Sequence, residues 1–141
     1  MTPLQVKAIQ ESFAKVAPIS EQAAALFYGR LFEIAPAVKP LFHSDMAEQG
    51  RKLMATLAVV VNGLSNLETI LPAASALAKR HVAYGVKAAD YEPVGAALLW
   101  TLQQGLGKDW TPELAAAWTG AYTLLSDFMI GEGYGRPVAA E

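Results

Sequence analysis

The sequence predicts an all-helical fold, and three observations support this prediction. Apolar residues recur at three- and four-residue spacing along nearly the whole chain, as on the buried face of a helix. Proline and glycine interrupt these runs at the intervals expected of short connections between helices. The best candidate for a strand, the three valines at 59–61, lies inside a helical run. We therefore expect one all-α domain.

The first two helices are recognised by their ends. Thr2, followed by Pro3 and Gln5, has the pattern of a capping box with proline at the first helical position. Pro18 ends the apolar run that follows, and Ser20 is placed to cap a second helix. The apolar face of that second helix consists of Ala23, Phe27, Leu31 and Ile34.

A turning segment and a long helix come next. Pro36 and Pro40 force a short turn, and Asp45 with Glu48 predicts the N-terminus of the long helix. The apolar stripe of this helix fades in the polar stretch 62–66.

Glycine and proline also bound the remaining helices. We expect a shorter helix that opens at Pro72, passes through His81 and ends at Gly85. Another helix is expected over residues 91–106, where Gly105 and Gly107 break it.

The last helix is expected to start at Thr111, which precedes a proline and a glutamate. Its glycine- and proline-containing end predicts a flexible tail. We expect one domain over residues 1–132 and a tail over residues 133–141.

Composition excludes several classes of function. The chain has 141 residues, of which 53% are hydrophobic, so it can bury a large core. Its formal charge is -2. Its lysines and arginines are scattered, which argues against a nucleic-acid partner. The absence of cysteine excludes disulfides, iron–sulfur clusters and thioether attachment of a cofactor. The uncharged stretches are too short to span a bilayer and no signal peptide is recognised, so we expect a cytoplasmic protein without a membrane partner.

Two histidines, His43 and His81, are the candidate metal ligands. We interpret His43 as a solvated loop residue. His81 lies near a helix end, where one ring nitrogen can bond a backbone carbonyl one turn back while the other binds a metal. The alternative is a surface or core histidine of no special function. One histidine cannot hold zinc in the usual way, but it can hold haem iron, because the porphyrin supplies four nitrogens.

The chain resembles bacterial single-domain globins, the relatives of flavohaemoglobin globin domains and of neuroglobin. The resemblance covers about residues 4–132 and rests on segments that occur in globin order and spacing. These segments are residues 26–32, Pro36 with Leu41 and Phe42, and residues 49–54, 80–86, 91–95 and 117–122.

The resemblance implies a globin fold, a three-over-three helical sandwich around non-covalently bound haem b. It makes His81 the proximal iron ligand and places Phe42 against the haem plane. Lys52 could meet a haem propionate, or it could be a solvated lysine. The resemblance further implies that Leu53 and Leu57 wall the distal pocket and that the proximal side and haem edge are lined by Leu77, Val86, Tyr91 and Val94.

Tyr28 and Gln49 match the distal positions nearest a bound ligand. Oxygen bound to ferrous iron acquires negative charge, which a phenol O–H and an amide N–H in an apolar pocket would stabilise. This pair predicts high oxygen affinity and slow release. Gln49 stands where many globins have histidine, so iron held by two histidines is not expected.

The chain departs from the flavohaemoglobin pattern near its C-terminal end. Those globins carry a glutamate that bonds the proximal histidine and increases electron donation to iron. The aligned residue here is Gly133, and Glu132 comes one residue earlier, which turns a helical side chain by about 100°. The resemblance therefore does not imply strong electron donation to the iron in this chain. Tyr91, another member of that network, is present.

Two functions are consistent with these residues. The first is reversible binding of O2, and of CO and NO, at ferrous haem, as in oxygen transport. The second is nitric oxide detoxification by a dioxygenase that converts NO to nitrate and uses a separate reductase. We expect no flavin, nicotinamide or sensory output domain after the globin segment, and this expectation favours binding over the enzyme and over a sensor. Whether the chain is an enzyme stays open at this point.

Overall fold

Six α-helices make up most of the part of the chain described by the computed structural model, residues 2–42 and 45–134. The helices are α1 (Pro3–Val16), α2 (Ser20–Ile34), α3 (Met46–Gly63), α4 (Leu67–Ala83), α5 (Tyr91–Leu106) and α6 (Pro112–Tyr134). Short 3₁₀ turns join several of them, at Ala17–Ile19, Pro36–Leu41, Ala88–Asp90 and Gly107–Asp109. These described residues include no strand, and the valines at 59–61 lie in α3. The all-α prediction is confirmed.

The predicted helix starts are confirmed at three places. In the capping box of α1, Gln5 N donates to Thr2 Oγ1 at 3.2 Å and Thr2 N donates to Gln5 Oε1 at 3.0 Å. Asp45 caps α3 by accepting from Glu48 N at 3.3 Å. At the start of α6, the Thr111 hydroxyl accepts from the backbone N–H three residues on. Each cap satisfies an N–H that has no partner inside its helix.

The predicted cap at Ser20 is wrong. Ser20 is the first residue of α2, and no side chain caps this helix. The 3₁₀ turn Ala17–Ile19 leads directly from α1 into α2, so Ser20 already has helical dihedral angles, φ -58° and ψ -38°. A capping residue needs a non-helical backbone, and here that position is taken by Ile19, whose side chain has no oxygen to accept a hydrogen bond.

The predicted start of α4 at Pro72 is also wrong. The helix begins five residues earlier, at Leu67, and Pro72 lies inside it. Proline removes only one helical hydrogen bond at this position, while the preceding turn buries Ile70. Ile70 packs directly on Gly63 at the end of α3, where any larger residue would overlap it. Burial of this side chain offsets the lost bond.

The predicted end of α4 at Gly85 is confirmed. Gly85 has φ +94°, a conformation that favours glycine. Its N–H donates to Val82 O at 3.0 Å, and Val86 N donates to His81 O at 3.0 Å. These two bonds form a Schellman motif, which satisfies carbonyls at the helix end.

The later boundaries agree with expectation in part. Helix α5 has the predicted bounds and ends before Gly107, which has φ +54°. Gly105 lies within the helix and does not break it. Helix α6 continues through Tyr134, two residues into the expected tail. The other tail residues, 135–141, and His43 lie outside the described residues, so the division into domain and tail stays a prediction.

The helices form two layers of three. Helices α1, α3 and α4 are neighbours in one layer, and α2, α5 and α6 are neighbours in the other. The main core lies between α1, α2, α3, α5 and α6, and a smaller cluster joins α4 to α5 and α6. None of the described helices is long and apolar enough to cross a membrane. The three-over-three prediction is confirmed.

Candidate functional site

His81 lies in the last turns of α4 and is half-buried. Its Nδ1 lies 2.8 Å from Leu77 O, so the predicted bond to a carbonyl one turn back is confirmed. A carbonyl only accepts, so Nδ1 carries the proton and Nε2 keeps a lone pair that can bind a metal. Burial lowers the pKa of His81 below its usual value; the bond to Leu77 opposes this shift, and the charge of Arg80 adds to it. The imidazole is therefore neutral at neutral pH.

Two tyrosine rings lie beside this imidazole. The Tyr91 ring is stacked at 6.3 Å between centroids and 25° between planes, and the Tyr84 ring lies at 6.4 Å. Leu77 and Val86 pack with Tyr91 in the small cluster next to α4. The Tyr91 hydroxyl is buried without a hydrogen-bond partner among the described residues. Burial raises the pKa of this phenol.

Tyr28 lies on α2, and its side chain is buried. Its ring centroid lies 5.4 Å from that of Phe42 and 6.0 Å from that of Phe32, and the rings of Phe32 and Phe42 lie 5.4 Å apart. Phe42 is placed here because it directly follows the turn Pro36–Leu41. Burial raises the pKa of Tyr28, and a hydrogen bond with the Gln49 side chain opposes part of the rise. The structure thus brings Tyr28, Gln49 and Phe42 together.

Leu53 and Leu57 lie one turn apart on α3, both half-buried against the main core. With Phe27 of α2 they border a cavity of about 10 Å³ that is lined almost entirely by apolar side chains. Val94 of α5 also packs on the main core. These side chains form an apolar wall and offer no metal ligand.

Lys52 lies on the exposed part of α3. Its Nζ is 3.6 Å from Glu48 Oε1, one turn earlier, and 63% of its side chain is exposed. Exposed pairs of this kind contribute little to stability, so Lys52 can exchange its partner. Its role toward a propionate stays a prediction.

Glu132 is directed toward Ser75. The Ser75 hydroxyl donates to Glu132 Oε1 at 2.7 Å, which joins α6 to α4. At Gly133 the helices come so close that a Cβ atom would lie 2.9 Å from Val82 Cγ2 and 3.5 Å from Ala78 O. Within the described residues, the recorded partner of the His81 ring is a neutral carbonyl and not this carboxylate.

A polar contact that the sequence did not reveal positions Tyr91. The Tyr122 hydroxyl donates to Tyr91 O at 2.5 Å, and the Tyr122 ring lies directly against Gly95. A glycine inside a helix was the available signal, because such a glycine often marks a close approach of another group. The sequence does not say which side chain approaches.

The residues present fit a haem. No group of three or more histidine, cysteine, aspartate or glutamate residues in the described ranges could hold a bare metal ion. A single imidazole with a free Nε2 suffices for an iron that brings four nitrogens of its own. The half-buried apolar wall is a surface that a large, mostly apolar group would cover, and the buried, unpartnered Tyr91 hydroxyl could bond a polar edge of such a group. Fold and site together define a class: a two-layer, all-α protein whose residues fit a haem.

Comparison with known proteins identifies the family. The globin family model matches residues 25–129. The chain is 33% identical over 133 residues to a flavohemoprotein of Bordetella bronchiseptica, covering 90% of this chain and 33% of that protein. It is 28% identical to Neuroglobin-1 of Oncorhynchus mykiss, covering 89% and 87%. A bacterial globin from Campylobacter jejuni superposes with a TM-score of 0.82 at 27% identity, covering 94% and 96%.

The chain belongs to the globin family, whose members bind haem and gaseous ligands. It spans about a third of the length of the flavohemoproteins it matches. The resemblance stated from the sequence is confirmed.

Proposed function

We propose that this globin binds O2 reversibly at ferrous haem b, with CO and NO as further ligands, and holds O2 through Tyr28 and Gln49. The observation that carries the proposal is the buried Tyr28 phenol, which packs against Phe42 and whose pKa is raised by burial and lowered in part by the neighbouring Gln49 side chain. When bound, the haem supplies the iron that takes up the gas.

His81 would hold the iron through Nε2. Its Nδ1–H is already occupied by Leu77 O at 2.8 Å, which fixes both the tautomer and the plane of the ring. Leu77 and Val86 would cover the proximal side of the group, and Leu53 and Leu57 its distal side. Phe42 would pack against its plane.

Tyr28 and Gln49 would donate hydrogen bonds to a polar diatomic ligand. The aromatic rings of Phe32 and Phe42 around the phenol exclude water, so both bonds would form in a medium of low dielectric constant and gain strength. Burial also keeps the Tyr28 phenol protonated, and thus a donor.

The proximal side supports binding over oxidative chemistry. A carboxylate partner would make the imidazole a stronger electron donor, but Glu132 is occupied by Ser75 and His81 bonds a carbonyl. NO dioxygenation is therefore the alternative that the experiments must test.

Replacing Tyr28 with Phe should accelerate O2 dissociation by roughly 10- to 100-fold, the effect of losing one strong hydrogen bond to a charged acceptor. The rate is measured by stopped-flow displacement of O2 by CO. Tyr134→Phe, at an exposed tyrosine of α6, is the matched control and should leave the rate unchanged. Equal dissociation rates in wild type and Tyr28→Phe would show that the phenol does not contact the ligand.

Mixing the oxygenated protein with NO under turnover conditions distinguishes reversible O2 binding from NO dioxygenation. Purified protein with an intense Soret band establishes the haem first. With cell extract as the source of electrons, we expect nitrate to form in a single turnover at most. Sustained nitrate production that requires the protein would instead establish the dioxygenase.

A further inference from the structure

A groove lies away from the candidate haem site, between α1, the turn Gly107–Asp109 and the start of α6. We call it the α1–α6 groove. Its volume is about 440 Å³, within the range of about 300–1,000 Å³ that is usual for small-molecule sites. Neither Tyr28, Gln49 nor His81 lines it, so it is separate from the haem site.

The floor of the groove is apolar. It is formed by Ala8 of α1, by Leu106 at the end of α5, and by Leu114 and Ala117 of α6. The two alanines keep the groove open, because a large side chain at either position would extend into it. The floor can therefore receive an apolar group of modest size.

The polar side chain at the base of the groove, Ser12, is already hydrogen-bonded. Trp118 Nε1 donates to Ser12 Oγ at 3.0 Å, and Ser12 Oγ donates to Ile9 O at 2.9 Å. The first bond joins α6 to α1, and both lie in the buried interior. The two walls are thus held together before any ligand binds.

Leu4 forms one edge of the groove and is 80% exposed. Helical spacing places it on the same face of α1 as Ala8, Glu11 and Lys15. Among the exposed large apolar residues of the described ranges, Leu4 alone lines the groove. A ligand with an apolar body would remove Leu4 and the floor from water, which favours binding.

Carboxylates outnumber cations on the rim of the groove. Three carboxylates, Glu11, Asp109 and Glu113, line it together with one cation, Lys15, which gives a formal charge of -2. Lys15 Nζ lies 3.4 Å from Asp109 Oδ2, so these two charges offset each other. No salt bridge to Glu11 or Glu113 occurs within the described ranges 2–42 and 45–134. The α1 wall and the α6 wall thus each carry a carboxylate without a cationic partner.

We propose that the α1–α6 groove binds a small alkylammonium compound, that is, a protonated primary amine with a short apolar chain. The apolar chain lies on Leu4 and the floor, and the ammonium group donates to the carboxylates of Glu11 and Glu113. Hydrogen bonds between ions are stronger than those between neutral groups. The site is independent of the haem and of the gas that the haem binds.

The charges favour a small monocation over other occupants. Glu11 and Glu113 would repel an anionic ligand. A basic peptide would bring further cations against Lys7 and Lys108, which are exposed and adjoin lining residues in the chain. A protein partner of ordinary size buries about 800 Å² on each side, whereas Leu4 is the one large apolar residue exposed along this groove.

The test is titration of the haem-loaded protein, saturated with CO, with n-hexylammonium, which is protonated at about pH 7. Methyl NMR should show saturable shifts at Leu4, Ala8 and Leu114, with a Kd on the order of 1 mM. Hexanol, which has the same chain without the charge, should bind roughly fivefold more weakly, and hexanoate more weakly still. Shifts that do not saturate, or hexanoate binding as tight as that of hexylammonium, would overturn the proposal.

The double variant Glu11→Gln with Glu113→Gln should weaken hexylammonium binding roughly fivefold and leave hexanol binding unchanged. The matched control is Glu21→Gln with Glu68→Gln, which makes the same change of net charge at exposed carboxylates outside the groove. This control should retain the wild-type Kd within about twofold. Equal weakening in both double variants would refute the assigned role of Glu11 and Glu113.

A variant that fills the groove tests the apolar half of the proposal. Ala8→Trp should abolish the binding of both hexylammonium and hexanol, because the indole occupies the space above the floor. The absorption spectrum of the CO complex should not change, since the groove is separate from the haem site. Undiminished binding of both probes to a folded Ala8→Trp protein would place them outside the groove.

Discussion

The properties of His81 follow from one hydrogen bond. Because Nδ1 bonds a carbonyl and burial disfavours the charged ring, the imidazole is neutral and its Nε2 is available. The carboxylate that could change this, Glu132, is held by Ser75 on another part of α4. If His81 holds the iron as proposed, this backbone carbonyl would set its electron donation, as suits the proposed reversible binding.

The protonation state of Tyr28 predicts a pH-independent ligand affinity. Burial raises the pKa of this phenol above its ordinary value of 10.0, although Gln49 opposes part of the shift. The phenol therefore remains a donor from neutral pH up to about 10, and the O2 dissociation rate should be flat over this range. Because the folded pKa exceeds the unfolded one, the stability linked to this group is complete below pH 10 and is lost as the pH rises beyond it.

Stopped-flow measurements at intervals between pH 7 and pH 10 test this prediction. Tyr28→Phe, which has no phenol proton, is the control and should show the same flat profile at a higher rate. A rise in the wild-type rate below pH 9 that the variant lacks would contradict it.

At the scale of residues, local bonds were predictable and long-range ones were not. The His81–Leu77 bond spans four residues of one helix, and helical geometry alone predicts it. The Ser75–Glu132 and Tyr122–Tyr91 bonds span 57 and 31 residues, and periodicity does not reveal which helices face each other. The proximity of Tyr28 and Gln49, on different helices, was predicted only through the resemblance.

Among the elements, three predicted capping side chains were confirmed and a fourth, Ser20, was not. Thr2, Asp45 and Thr111 have short polar side chains that accept from free N–H groups at the starts of their helices. The boundary at Pro72 was mistaken because a tertiary contact, Ile70 on Gly63, outweighs the local preference of proline. Local rules fail where packing between elements contributes more free energy than the local interaction.

The end of α4 gives a prediction about a single backbone conformation. Gly85→Ala should destabilise the protein by about 1–2 kcal/mol, because residue 85 has φ +94° and alanine is strained there. The added Cβ would also lie 3.3 Å from a side-chain carbon of Leu41. Urea denaturation of the haem-loaded protein measures the change in the free energy of unfolding.

Gly120→Ala is the control for this change. Gly120 lies inside α6, and no atom lies within 4 Å of an added Cβ. Alanine should stabilise the protein here by about 0.5–1 kcal/mol, since glycine is unfavourable inside helices. If both substitutions changed the free energy of unfolding in the same direction, the strain at Gly85 would be disproved.

At the scale of the whole molecule, the sequence alone predicted helices but not their arrangement. The pairing of α1, α3 and α4 against α2, α5 and α6 depends on contacts between residues far apart in the chain. The order of residues shared with globins supplied this arrangement. Periodicity could not, since many helix packings bury the same stripes.

The two-layer arrangement predicts which helix depends most on haem. The main core contains no buried residue of α4, of which only the first residue, Leu67, packs against it; the rest of α4 is held through the small cluster around Ala74, Ala78, Tyr91 and Met129. Extraction of haem should therefore lower hydrogen-exchange protection most in α4, and least in α1, α2 and α5. Extraction of haem should also lower the thermal midpoint of unfolding. A ligand present at a thousand times its dissociation constant stabilises its protein by about 4 kcal/mol, and this stabilisation is lost with the ligand. Uniform loss of protection over all helices would contradict this assignment.

The Schellman motif after His81 affects how much conformational entropy this residue can still lose when a cofactor binds. The carbonyl of His81 is bonded to Val86 N, and its ring to Leu77 O, so backbone and side chain of the same residue are both restrained. These restraints remove conformational entropy from the imidazole when the chain folds. If His81 coordinates the haem iron as proposed, this preorganisation would make coordination more favourable, because less ordering would remain to oppose it.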